Sequence, residues 1–160
     1  MASLRMLALV FLGATLLGPV QPALANCTAE AAASALLDKY VAAVNARDTA
    51  SFGDIHAENY IQHSGRSPNG LAAQVENFRT IFARMPDVEA RVEDRIIQCD
   101  KIVARMTFSA THTQPMQGIA PTGRRFTLRT IDIWRVENGK LAEHWDVVDY
   151  AGLVKQLRGE

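Results

Sequence analysis

The sequence predicts an α+β domain in which helices come first and a long, mainly antiparallel sheet follows. Apolar residues recur at helical spacing through most of residues 28–85, whereas they alternate with polar residues through residues 88–148. A turn at Glu137-Asn138-Gly139 divides two runs of about a dozen residues, because Asn and Gly tolerate positive φ. Such a sheet must curl around a helix to bury the apolar face of each.

The first 25 residues have the order of a secretory signal peptide. Arg5 precedes an apolar run from Met6 to Leu17, and the sequence Ala23-Leu24-Ala25 supplies the small residues of a cleavage site. The run is too short to span a membrane. We therefore expect cleavage after Ala25 and an exported protein, periplasmic or secreted, with one domain over residues 26–160.

The composition of the mature chain argues against a nucleic-acid-binding protein. One of the seventeen Lys and Arg residues lies in the predicted signal peptide, so sixteen remain against seventeen Asp and Glu. The resulting net charge of about −1 provides no basic stripe. Cys27 and Cys99 both survive cleavage, and the sequence leaves open whether they form a disulfide or remain two thiols.

Three helices are predicted before most of the sheet. The first covers Thr28 to Arg47, the second is short, around Thr49 to His56, and the third runs from Gly70 to Met85 and stops at Pro86. Between the last two, Asn59 to His63 is predicted as a short strand. A terminal helix is expected over Tyr150 to Leu157.

The predicted strands Val88–Gln98 and Lys101–Gln114 are joined at Cys99-Asp100. In the second strand an apolar row ends at His112. The loop 115–123, with two prolines and two glycines, is expected to form a mobile rim over a cavity.

The hairpin of residues 124–149 allows two registers. A two-residue turn pairs Val136 with Leu141, whereas a three-residue loop pairs Val136 with Lys140. We prefer the second, because it places Thr130 opposite Asp146 and Asp132 opposite His144 on one face. A slip of one residue would move every side chain to the other face.

The polar groups on that face suggest a site. Two carboxylates, a histidine and a hydroxyl are costly to bury unless they are paired or used. Either Asp132 and His144 simply satisfy each other, or the face is the floor of a pocket whose carboxylate transfers protons. Trp134 would be a wall of this pocket, whereas Trp145 faces the other side of the sheet.

Four segments carry a resemblance to a known family. They are NYIQHS, FARMPD, THTQPMQGIAPTGRRF and RVENGKLAEHWDVVDYAGLVKQL. In this order they resemble the SnoaL-like polyketide cyclase, or ester cyclase, branch of the nuclear transport factor 2-like superfamily. The resemblance implies a cone-shaped fold with an apolar cavity, and an aspartate general acid/base on the last long strand that works without metal or cofactor. It also implies a homodimer through the sheet.

Carried onto this sequence, the acid/base matches Asp146, with Asp149 as the alternative. His63 and His112 match positions that line the family's cavity, and His144 or His112 would donate a hydrogen bond to a developing enolate oxygen. The implied ligand is a small apolar carbonyl compound, and the implied activity is that of a cyclase, as a lyase or isomerase. No metal site is predicted, since His144 and Asp146 are one ligand short of a catalytic zinc site.

Two further functions stay open at this point. The same cavity could bind a small apolar molecule without catalysis. Alternatively, the domain could be a dimerisation or interaction module that uses the outer sheet face, which carries Arg129, Ile131, Ile133, Arg135, Glu143 and Trp145.

Overall fold

The computed structural model describes residues 30–160, which contain four helices and five strands. The helices are α1 (Glu30–Ala46), α2 (Phe52–Ile55), α3 (Leu71–Arg84) and α4 (Tyr150–Arg158). The strands are β1 (His56–Gln62), β2 (Glu89–Gln98), β3 (Lys101–Thr111), β4 (Arg125–Glu137) and β5 (Lys140–Val148). The predicted signal peptide, its cleavage site and Cys27 lie outside the described residues.

The strands form one mixed sheet in the order β1-β5-β4-β3-β2. The four long strands pair antiparallel, while β1 lies at the edge and runs parallel to β5. The α+β prediction is confirmed. In the part of the chain that the structure describes, no helix has both the length and the apolar character that a membrane span needs.

The predicted second helix is too long, because its last residue begins β1. His56 has extended backbone angles, with φ −106° and ψ 147°. Its buried ring packs against Phe52 and Tyr60 at centroid distances of 4.9 and 5.0 Å. β1 therefore starts three residues before the predicted strand.

The core lies between the helices and one face of the sheet. Leu37 and Val44 of α1 and Phe52 of α2 pack with Ile102 and Met106 of β3, all fully buried. A smaller cluster joins Leu153 and Leu157 of α4 to Val88, Ala110 and Phe126. The alternation predicted for β3 is confirmed, since its even-numbered residues face this core.

The preferred hairpin register is wrong. Asn138 and Gly139, with φ of 51° and 75°, form a two-residue turn, and Val136 pairs with Leu141. A bulge then shifts the pairing by one residue, so that Arg135 pairs with Glu143 and Ala142 has no partner in the ladder.

The bulge has a direct consequence for the cavity. Beyond it, Asp132 lies opposite Asp146, and Trp134 lies opposite His144. These four side chains share one face, as predicted. Each residue of β4, however, pairs with a β5 residue two positions further along than in the preferred register. Leu141 and Ala142 are consecutive and both buried, because the extra residue at Ala142 interrupts the alternation of side chains along β5.

Candidate active site in the sheet cavity

A cavity of about 460 Å³ lies between the sheet and helices α1, α3 and α4. Its apolar walls include Val44, Phe78, Ile81, Phe108, Phe126, Leu128, Trp134, Val148 and Leu153. Polar side chains also line it: Tyr60, Gln62, Arg66, Gln74, Arg84, Thr130, Asp132, His144 and Asp146. Met116 and Gln117 place part of the 115–123 loop at the rim.

Asp132 is a carboxylate whose two oxygens both accept hydrogen bonds. The hydroxyl of Thr130 donates to Oδ2, and Nε2 of His144 lies 2.9 Å from Oδ1. All three residues are buried. Each oxygen of this buried carboxylate therefore has one hydrogen-bond partner within the protein.

The hydrogen-bond partners of His144 determine its tautomer. The backbone N–H of Ser64 donates to Oε1 of Gln62, at 3.2 Å, so the amide nitrogen of Gln62 faces His144. That nitrogen lies 2.9 Å from Nδ1 of His144 and must donate to it. The ring proton therefore sits on Nε2 and is directed to Asp132, which leaves neither nitrogen for a substrate.

Asp146 has a different environment from Asp132. Its Oδ2 accepts from the guanidinium of Arg66, which lies in the loop between β1 and α3. The Asp146 side chain is only 4% exposed, whereas that of Arg66 is 43% exposed. The second oxygen, Oδ1, is buried and has no hydrogen-bond partner among the described residues. Asp146 thus differs from Asp132 in keeping one buried oxygen without a hydrogen-bond partner in the described chain.

Two further buried polar atoms lie at the cavity, Oε1 of Gln74 and the hydroxyl of Tyr60. The first has no partner in the described chain, whereas the Tyr60 hydroxyl lies beside the Trp134 indole. Burial raises the pKa of Tyr60 and of the neighbouring Tyr40, the hydrogen bond with Trp134 opposes this effect at Tyr60, and the charge of Asp132 adds to it at both. Both phenols therefore remain protonated, and Tyr60 can act as a hydrogen-bond donor.

Trp134 is one of the residues that line the cavity. Its indole stacks on the His144 ring at a centroid distance of 4.9 Å and packs against Tyr40 at 5.5 Å. These contacts keep the imidazole plane fixed beside Asp132.

His63 and His112 are not among the residues that line the cavity in the described chain. The ring of His63 lies on the outer face, where it stacks on Trp145 at 4.3 Å, and its Nε2 lies 2.8 Å from Glu143. His112 is buried, but its Nδ1 turns towards Thr122 and accepts from the Thr122 backbone N–H. Trp145 lies on the outer face, as predicted from the alternation.

Asp149 has a structural role instead. Its side chain accepts from the backbone N–H of Gly152, at 2.7 Å, and caps the N-terminus of α4. A Cβ on Gly152 would lie 2.2 Å from this carboxylate, so the cap requires glycine there. Asp149 is exposed and is not part of the cavity lining.

Asp132, His144 and Asp146 could also be considered as metal ligands. One ligand atom from each lies within 4.8 Å of the others, so the structure adds Asp132 to the pair found in the sequence. However, both nitrogens of His144 and both oxygens of Asp132 are already hydrogen-bonded, and Arg66 holds Asp146. A cation would have to displace these contacts, so the donor set fits a metal poorly.

Sequence reasoning missed four polar residues at this site. Gln62 and Tyr60 alternate along β1, but their position depends on the parallel pairing that places Gln62 beside His144. Gln74 lies on the buried side of α3. Arg66 lies in a polar loop, and no local pattern indicates that it reaches Asp146.

The family that this chain matches and two of its relatives are named as cyclases. A model of the family described as SnoaL-like polyketide cyclase matches residues 34–157. Aklanonic acid methyl ester cyclase AcmA of Streptomyces galilaeus is 34% identical over 94 residues, which cover 58% of this chain and 62% of that protein. Nogalonic acid methyl ester cyclase of Streptomyces nogalater is 29% identical over 96 residues, covering 59% of this chain and 68% of that one.

The fold is also similar to that of solved structures. TsrD from Streptomyces laurentii has a TM-score of 0.73 and 32% identity, and the match covers 79% of this chain and 95% of that protein.

Proposed function

The chain belongs to the SnoaL-like polyketide cyclase family, and on this premise we propose that it closes a ring in a carbonyl compound with Asp146 as general acid and base. The cone-shaped, nuclear transport factor 2-like fold expected from the resemblance is confirmed by the similar solved structures. Both the catalytic residues and the substrate are proposed here.

The observation that carries the proposal is the unequal engagement of the two cavity aspartates. Asp132 accepts hydrogen bonds at both oxygens, whereas Asp146 keeps Oδ1 without a partner in the described chain. A general base must have a lone pair available and must lie in a partly desolvated place. Both aspartates are buried at the cavity, and of the two it is Asp146 that keeps an oxygen without a hydrogen-bond partner in the described chain.

The proposed reaction is an intramolecular aldol closure. Asp146 removes a proton from a carbon beside a carbonyl group, and the electron pair of that C–H bond forms an enolate. The enolate carbon then bonds to a second carbonyl carbon, whose oxygen becomes an alkoxide. Asp146 returns the proton to this oxygen, so the carboxylate is regenerated and no external reactant is needed.

Polyketide methyl esters are the substrates to try first. Two relatives are named as cyclases of aklanonic acid methyl ester and nogalonic acid methyl ester. Because the match with the first covers only 62% of that protein, the substrate of this chain is a proposal. The apolar walls and the volume of about 460 Å³ suit a small or medium-sized apolar molecule with few polar groups.

The test is to incubate the mature protein with aklanonic acid methyl ester in buffer that contains EDTA. Closure without loss of atoms leaves the mass unchanged, so the product is detected by its chromatographic retention and NMR spectrum. In D₂O, reversible removal of the carbon proton would also place deuterium at that carbon. The proposal would be contradicted if a panel of enolisable carbonyl compounds gave no new product and no deuterium uptake.

A second candidate function is non-catalytic binding of a small apolar molecule. The ion pair between Arg66 and Asp146 favours it, because a carboxylate already paired with a guanidinium is satisfied as a structural group. Ligand binding without turnover or deuterium exchange would support this function in place of the first.

A further inference from the structure

Formation of an enolate requires a group that stabilises the negative oxygen, and the histidines do not provide one. Both nitrogens of His144 are engaged by Gln62 and Asp132, and His112 lies outside the cavity lining. The hydroxyl of Thr130 is directed to Asp132. The group must therefore come from elsewhere in the cavity wall.

Arg66 has the required charge and position. A guanidinium carries five N–H donors, and in residues 30–160 the recorded side-chain contact of Arg66 is the one with Asp146. Its side chain is partly exposed and also lines the cavity, so it can meet a substrate that enters from solvent.

The proton transfer itself would free this arginine. When Asp146 takes a proton, its negative charge passes to the substrate oxygen, and the guanidinium loses its partner at the moment when the enolate forms. A substrate oxygen that lies against the guanidinium would take over the charge that Asp146 gives up, so the net charge of the site would not change. Stabilisation of developing charge by a preorganised donor is a large contribution in many enzymes.

We propose that Arg66 is a further catalytic residue, which binds the enolate oxygen as Asp146 becomes protonated. This inference rests on the proposed function of Asp146 as the base. It also narrows the substrate class to enolisable carbonyl compounds whose oxyanion can lie against a guanidinium.

Arg84 is the other arginine at the cavity, and it fits this role less well. It lies in the last turn of α3, where its guanidinium donates to the backbone carbonyl of Pro115 at 2.6 Å. It has no recorded contact with Asp146, so the transfer of a proton to that carboxylate would not release it.

The test uses Asp146→Asn, whose neutral amide imitates the protonated base, and 4-nitrophenol as an imitation of the enolate. The phenolate absorbs visible light, so the ionised fraction of the bound probe is read directly. At a pH one unit below the pKa of the free probe, we expect the variant to raise the ratio of phenolate to phenol at least about tenfold, one pKa unit. In the wild-type protein the carboxylate competes for Arg66, and the increase should be smaller.

The double variant Asp146→Asn/Arg66→Gln should lose this increase. Asp146→Asn/Arg79→Gln is the matched control, because Arg79 is an exposed arginine of α3 that pairs with Glu76 and does not line the cavity. Circular dichroism and thermal melting would establish that the variants are folded.

Three results would overturn the proposal. They are an unchanged phenolate fraction on Asp146→Asn, an increase that survives Arg66→Gln, and no binding of the probe at millimolar concentration. The experiment requires no turnover, so it is independent of the substrate test. Cyclisation without the probe effect would refute the role of Arg66 and leave the proposed function standing. The probe effect without cyclisation would refute the proposed function and leave Arg66 as an oxyanion-binding residue without a catalytic role.

Discussion

Asp132 and Asp146 lie directly opposite each other across β4 and β5, yet they have different partners. Like charges at facing positions of two strands are destabilising, so each carboxylate needs its own compensation. Thr130 and His144 engage Asp132, and Arg66 engages Asp146. Asp132 thereby has a partner at each oxygen, whereas Asp146 keeps Oδ1 without a partner in the described chain.

We predict that His144 is neutral, with its proton on Nε2. Gln62 donates to Nδ1, because the backbone N–H of Ser64 fixes the orientation of the amide. Long-range ¹H–¹⁵N NMR correlation should therefore show Nδ1 as the unprotonated nitrogen. Gln62→Glu replaces the donor by an acceptor and should place a proton on Nδ1. A proton on Nδ1 in the wild-type protein would refute this network.

We predict a loss of stability in mild acid that is due to His56. Burial lowers the pKa of His56 from 6.5 to about 4, so the unfolded chain binds more protons between these values. The contribution of His56 to the free energy of unfolding is therefore complete above pH 6.5 and is lost as the pH falls towards 4. At about 1.4 kcal/mol per pKa unit, the total loss is about 3 kcal/mol.

Urea unfolding of the wild-type protein and His56→Phe from pH 7 to 4.5 would check this prediction. The wild-type protein should lose more stability than the variant over that range. Some carboxyls also have a lowered pKa in the fold. Hydrogen bonds from Thr111 and His63 lower the pKa of Asp87 and Glu143, respectively. Their contribution is the same in both proteins, so the comparison cancels it. Parallel curves would show that His56 does not titrate as described.

Much of the fold could be predicted from the sequence, because apolar periodicity is a local property. The bounds of α1, α3 and β2 to β5 agree with the expectations to within about three residues. The hairpin register could not be predicted, since no local pattern indicates the register shift that leaves Ala142 unpaired between the buried Leu141 and the rest of β5. The alternation of side chains still placed Asp132, His144 and Asp146 on one face.

The site was less predictable than the sheet that carries it. Asp146 and Trp134 could be placed on the cavity face because they alternate on strands with clear patterns. Arg66 and Gln62 were missed, since they reach the site from β1 and the loop after it, which join the sheet by parallel pairing with β5. His63 was misplaced by one residue of alternation on that strand, where Gln62 faces His144 instead.

We predict that the protein forms a homodimer through its outer sheet face. Val147 and Ile131 lie opposite each other on that face and are 73% and 42% exposed. A large apolar pair is costly to leave in water, so a second copy is the proposed cover. Val147→Asp should convert a dimer into a monomer in sedimentation analysis. Ile96→Asp, at a 67% exposed position on β2, is the control. A mass that is the same for both variants and the wild type would contradict this interface.

Export is a further prediction, and it concerns residues outside those that the structure describes. Expression of the full chain in a Gram-negative host should give a periplasmic or secreted protein that begins at Asn26, as measured by intact mass. Ala25→Arg should block processing, because the cleavage site requires a small residue. An unprocessed wild-type chain in the cytoplasm would refute the signal peptide.

The central claim is that Asp146 is the acid/base, and the most direct test compares Asp146→Asn with Asp149→Asn in the cyclisation of aklanonic acid methyl ester. Asn is as good an N-cap as Asp, so Asp149→Asn should keep both the stability of α4 and the turnover. Asp146→Asn keeps the shape of the side chain but removes the base, and we expect a loss of at least about 100-fold in kcat. Turnover by Asp146→Asn within a few-fold of the wild-type rate would contradict the account.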